Sequence, residues 1–75
     1  GTNDHVGLST NNGKVGIGTQ NPAGALDVSS TTGALIVPRM TTTQRNALTP
    51  VNGMILYNTS TNQFNFYENG AWVIK

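Results

Sequence analysis

Met54-Ile55-Leu56-Tyr57-Asn58, Gln63-Phe64-Asn65-Phe66-Tyr67-Glu68 and Ala71-Trp72-Val73-Ile74-Lys75 close a chain of 75 residues, and all five of its aromatic residues lie within them. Three runs of β-branched and aromatic residues separated by polar turns read as an antiparallel three-stranded meander, with strands at 54–58, 63–68 and 71–75. Asn69-Gly70 joins the last two runs and is a strong hairpin signal, because a type I′ turn needs φ > 0 at both central residues. Thr59-Ser60-Thr61-Asn62 suits a longer, looser turn. Alternation sends Phe64 and Phe66 to one face and Asn65 and Tyr67 to the other, with Ile55 and Tyr57 expected beside Tyr67. Both faces are then apolar, and no expected helix is long enough to cover either. The missing layer is expected from other copies of the chain.

Composition points the same way. Only 9% of residues are charged and the formal net charge is +1, whereas the chain holds eleven Thr, ten Asn and nine Gly. Lys14, Arg39, Arg45 and Lys75 are scattered, which argues against nucleic acid as a partner, since phosphate binding needs clustered cations. No apolar run approaches the roughly 20 residues of a membrane span, and no signal peptide is evident. Domains of this size usually need a disulfide, a metal or oligomerisation to hold together. There is no cysteine and only one His, so oligomerisation is the expectation.

The amino-terminal half aligns with itself in nines. Val6-Gly7-Leu8, Val15-Gly16-Ile17, Gly24-Ala25-Leu26 and Gly33-Ala34-Leu35 each set a small residue before a large aliphatic one, so Leu8, Ile17, Leu26 and Leu35 recur at a fixed spacing. Turn formers lie between them, as in Asn11-Asn12-Gly13 and Gln20-Asn21-Pro22. Short strands at such intervals suggest repetitive β structure; unrelated short strands in a small sandwich are the alternative. Val37-Pro38-Arg39 ends the repeat, since Pro38 lacks a ladder donor. Thr41 followed by Gln44 matches a capping box, and Thr49-Pro50 is a stop, so one short helix is expected at about 42–48.

Gly16-Ile17-Gly18-Thr19-Gln20-Asn21-Pro22, followed by Ala25-Leu26-Asp27-Val28, resembles a motif recurrent in phage tail fibres and related bacterial surface proteins. Leu35-Ile36-Val37-Pro38-Arg39-Met40-Thr41-Thr42-Thr43-Gln44-Arg45 is similar to a segment that often follows it. Val51-Asn52-Gly53-Met54-Ile55-Leu56-Tyr57-Asn58 and Glu68-Asn69-Gly70-Ala71-Trp72 look like the close of that unit. The resemblance covers about residues 15–75 and implies a homotrimeric, β-rich fibre segment of an attachment organelle, with no shared catalytic residues.

The expected object is therefore an all-β homotrimer with a repetitive stalk at 1–38, a helix-containing connector at 39–53 and a β-meander knob at 54–75. Leu8, Ile17, Leu26, Leu35, Phe64 and Phe66 are its expected trimer core. Its expected function is structural and adhesive: it holds three chains in register in a viral tail fibre or spike, outside the cell on the virion, beside adjoining fibre domains. A surface for a host glycan or protein receptor is expected at Tyr57, Asn58, Asn62, Asn65, Tyr67 and Trp72, where rings stack on sugar faces and amides bind hydroxyls. The Asn65/Tyr67 face and the 59–62 loop are expected to be exposed. A purely structural connector and a monomeric carbohydrate-binding module are the two rivals. Asp4-His5, Asp27 and Glu68 lie far from one another in sequence, so no enzyme and no cofactor are expected. Three copies of His5 converging on an axis would make a metal site, but a solvated chain end is preferred. Arg39 and Arg45 are expected to pair, at most, with Asp27 or Glu68 of a neighbouring copy.

Overall fold

The computed structural model describes residues 8–75, with side chains described at Thr10 and from Asn12 onward. The expectations at His5 and at the Leu8 side chain fall outside the described residues. The fold is all-β with one short helix, as expected, and the chain divides after Leu35 into two units.

In the first unit, β1 (Leu8–Asn11) and β2 (Lys14–Ile17) form an antiparallel hairpin closed by Asn12-Gly13, whose φ values are 54° and 77°. Asn and Gly tolerate that left-handed pair, which is the twist a two-residue hairpin requires. β3 (Leu26–Val28) then joins β2 in parallel, with Val15 opposite Leu26 and Ile17 opposite Val28. A parallel return usually takes a dozen residues or more, yet here residues 18–25 suffice. Gly18 turns the chain at φ 81°, the Thr19 hydroxyl accepts from the Asn21 N–H at 3.1 Å, and the Asp27 carboxylate accepts from the Ala23 N–H at 2.9 Å. Pro22 is buried inside this bend.

The nine-residue spacing does not produce equivalent strands. Leu8 lies opposite Ile17 across the hairpin, Leu26 lies opposite Val15 rather than Ile17, and Leu35 belongs to no strand. The first connection reverses the chain and the second does not, so equal spacing in sequence gives unequal register. Alternation nevertheless gathers Val15, Ile17, Leu26 and Val28 on one face, where only Val15 is half-buried and the rest are exposed.

In the second unit, β4 (Arg39–Met40), β5 (Ile55–Asn58), β6 (Gln63–Glu68) and β7 (Ala71–Ile74) form one sheet in that order. The three-stranded meander is present, but β4 adds a fourth strand parallel to β5, so the sheet is mixed. The Pro38 carbonyl accepts from Tyr57 N–H at 2.9 Å and the Met40 carbonyl from Thr59 N–H at 2.8 Å. A proline just before an edge strand is tolerated because its missing N–H faces no partner. Between β4 and β5 runs α1 (Thr42–Asn46), opened by the full capping box: Gln44 N–H donates to Thr41 Oγ1, and Thr41 N–H to Gln44 Oε1. The helix is shorter than expected. Ala47 and Leu48 N–H donate to the carbonyls of Gln44 and Arg45, three residues back, tightening the end into a 3₁₀ turn before Thr49-Pro50.

Register sorts the aromatic residues differently from the sequence expectation. Asn58 lies opposite Gln63, so Tyr57 faces Phe64 and Ile55 faces Phe66. Ile55 and Tyr57 therefore share the Phe64/Phe66 face, and Tyr67 shares the other with Leu56 and Trp72. The four-residue loop at 59–62, with Asn62 at φ 58°, sets this parity.

Gly18 provides a local test of the first unit. A Cβ at this position would overlap the Ser29 carbonyl oxygen, in addition to the left-handed strain. Gly18→Ala is expected to destabilise the unit by about 2 kcal/mol or more. Amide exchange should show lost protection in β2 and β3. Gly13→Ala, which has open space around it, should carry only the strain.

Candidate functional site

A helix that connects two parallel neighbouring strands must cross over one face of their sheet. For α1 that is the face of Leu56, Asn58, Asn65, Tyr67, Trp72 and Ile74, of which Ile74, on the edge strand β7, is exposed. Asn58 and Asn65 are each 1% exposed, and Leu56, at 2%, is the only buried hydrophobic side chain among the described residues. The Asn58 amide donates to Thr42 Oγ1 at 2.9 Å and to Asn65 Oδ1 at 3.0 Å, while its own oxygen accepts from Ser60 N–H at 2.8 Å. Ser60 Oγ in turn accepts from the Thr42 N–H at 3.0 Å. One turn further along the helix, Arg45 Nη1 donates to Asn65 Oδ1 at 3.0 Å, and its guanidinium carbon lies 5.4 Å from the Trp72 ring centroid. Trp72 meets Tyr67 edge to face at 5.0 Å. This face is a polar clamp with an aromatic wing. Two donors converge on Asn65 Oδ1, which fixes the amide's orientation and leaves its buried nitrogen without a hydrogen-bond partner.

The opposite face has no helix. Ile55, Tyr57, Phe64, Phe66 and Val73 share it, with Ile55 46% and Phe64 44% exposed and the other three half-buried. Phe64 is T-stacked against Tyr57 at 5.2 Å and lies beside Phe66 at 6.3 Å with the rings 26° apart. Arg39, opposite Tyr57, borders the face on the β4 side. Lys75 and Glu68 form an exposed ion pair of 3.2 Å, a contact worth ~0–1 kcal/mol.

These two faces divide the sequence-predicted residues. Asn65, expected on an exposed face, is buried, because α1 lies over it and Arg45 caps it. Asn58 is buried in the same clamp. Trp72 is half-buried under Arg45, Tyr67 is half-buried beside Trp72, Tyr57 is half-buried on the open face, and Asn62 is exposed in its turn. Ile17, Leu26 and Leu35 are exposed, as is Phe64, while Phe66 is half-buried. Arg45 is engaged within its own chain, bonding Asn46 Oδ1 as well as Asn65. The clamp roles of Thr42 and Arg45 were missed, although a helix between two strand runs signals a crossover whose inward side chains meet the sheet. No cluster of potential metal ligands occurs among the described residues.

Asn58→Ala is expected to lower the unfolding free energy by about 2 kcal/mol, because it strands the Ser60 N–H and removes the link from helix to sheet. Arg45→Met keeps the aliphatic stem and should cost about 1 kcal/mol. Urea denaturation at fixed protein concentration reads both, and losses no larger than that of exposed Thr43→Ala would refute the clamp.

Compared with known proteins, residues 16–75 match the sequence model of one family, described as a phage tail like trimerisation region. No curated protein matches the chain, and no solved structure does.

Proposed function

The chain belongs to the phage tail like trimerisation region family, and on that membership we propose that it is a connector in a viral tail fibre or spike that holds three chains in register. The observation that carries this reading is the shortage of core. Leu56 is the one buried hydrophobic side chain among the described residues, while Ile17, Leu26, Leu35, Ile36, Ile55, Phe64 and Ile74 all stand exposed. A fully buried aliphatic or aromatic side chain contributes about 1.5–3 kcal/mol, and a fold of this length with one such residue falls short of the entropy lost on ordering it. Three copies sharing one core would make up the difference and remove free apolar surface at the same time.

The connector reading extends to context. Adjoining fibre domains would flank the segment, and its place would be on the virion, outside the cell. We assign it no reaction. A receptor surface is the finer reading, and two of its six candidate residues, Asn58 and Asn65, are enclosed by the clamp. Of the other four, only Asn62 is exposed. The connector is therefore carried forward, and the monomeric carbohydrate-binding module is set aside.

Light scattering on a sizing column, repeated over a dilution series, tests the reading. The expected mass is that of three chains, and the melting temperature should rise with protein concentration, because association draws the folded state down by mass action. A folded single chain at all concentrations would overturn it.

A further inference from the structure

The two faces of the second unit's sheet are unequally covered: α1 lies over the middle of one, and no helix lies over the other. We infer that the neighbouring copies dock on the open face, with Phe64 and Phe66 at the centre of the contact, and that the α1 face points away from it. This inference rests on the trimer reading above and adds to it which surface is used.

The argument begins with α1. The short crossover places Thr42 and Arg45 against Asn58 and Asn65, so the middle of that face is filled by its own chain, and its exposed apolar residue, Ile74, lies out on the edge strand β7. Docking a copy there would bury the Arg45 guanidinium, whose hydrogen-bond partners are two neutral amides, and taking a cation out of water without a counter-charge is unfavourable. At the centre of the open face no such step is needed: Ile55, Tyr57, Phe64, Phe66 and Val73 are uncharged, and Ile55 and Phe64 are close to half exposed. The charges lie at its borders: Arg39 on the β4 side, and the Glu68–Lys75 pair towards β7. An aromatic, uncharged centre with a charged rim is the composition of a protein–protein contact.

The occupant is a second copy of this chain. The family is a trimerising one, and in a closed ring each copy must meet two neighbours. A continuous face across several strands, turned towards a shared axis, can touch both at once. The stacked rings are suited to this, since Phe and Tyr cover large areas with few rotatable bonds.

The chain has no cysteine, so single cysteines report without background. Phe64→Cys and Ile55→Cys on the open face, and Thr43→Cys on exposed α1, are treated as full-length proteins with a short bis-maleimide. Covalent dimers are expected from the first two and not from Thr43→Cys. Phe64→Asp should weaken assembly about thirtyfold or more, the loss typical of a central aromatic contact, with strand content retained by circular dichroism. A wild-type monomer would overturn the trimer reading itself. With the wild type a trimer, cross-linking of Thr43→Cys and not of the open-face variants, or a trimer that persists in Phe64→Asp, would overturn only the choice of face.

Discussion

The second unit depends on one topological constraint: a helix between parallel β4 and β5 can lie on only one side of the sheet. With five residues, α1 cannot supply a hydrophobic layer. It covers its side with hydrogen bonds instead. Asn58 reaches Thr42 and Asn65, Arg45 reaches Asn65, and the guanidinium rests over Trp72. Buried polar groups are favourable only when satisfied, and here all but one of the amide positions are. Such a clamp fixes orientation well. It does little to remove apolar surface from water.

That limit connects the clamp to assembly. In the proposed trimer, a chain that covers the middle of one face with amides and leaves the other to Tyr57, Phe64 and Phe66 would place much of its hydrophobic driving force between molecules. The first unit follows the same rule by different means. Its short parallel return, held by Gly18, Thr19 and Asp27, brings Ile17, Leu26 and Val28 to one side of β2 and β3, where they stand exposed. In both units, backbone and polar side chains carry the local geometry, and the large apolar residues remain available.

Several elements are legible in the residues themselves. Asn69-Gly70 demands a left-handed pair, and both residues adopt positive φ. Thr41 and Gln44 spell a reciprocal cap, and both bonds form. These are local features, decided within four residues by sterics and hydrogen-bonding reach. The nine-residue spacing of Ile17, Leu26 and Leu35 was equally visible but misleading about register, because nothing in a spacing says whether the intervening chain reverses direction.

The sequence by itself therefore determined the class of the fold, its Asn-Gly turns and the capped start of α1, all of which follow from local geometry and residue type. Only the tertiary structure decided which residues share a face. The parity of the 59–62 loop moved Ile55 and Tyr57 to the side of the two phenylalanines, and the β4–β5 pairing brought α1 down over Asn58 and Asn65. Both are non-local: strand partnership depends on residues far apart in the chain, and a shift of one position would exchange the two faces. That is why Asn65 reads as a surface amide in the sequence and lies in the centre of the clamp in the fold.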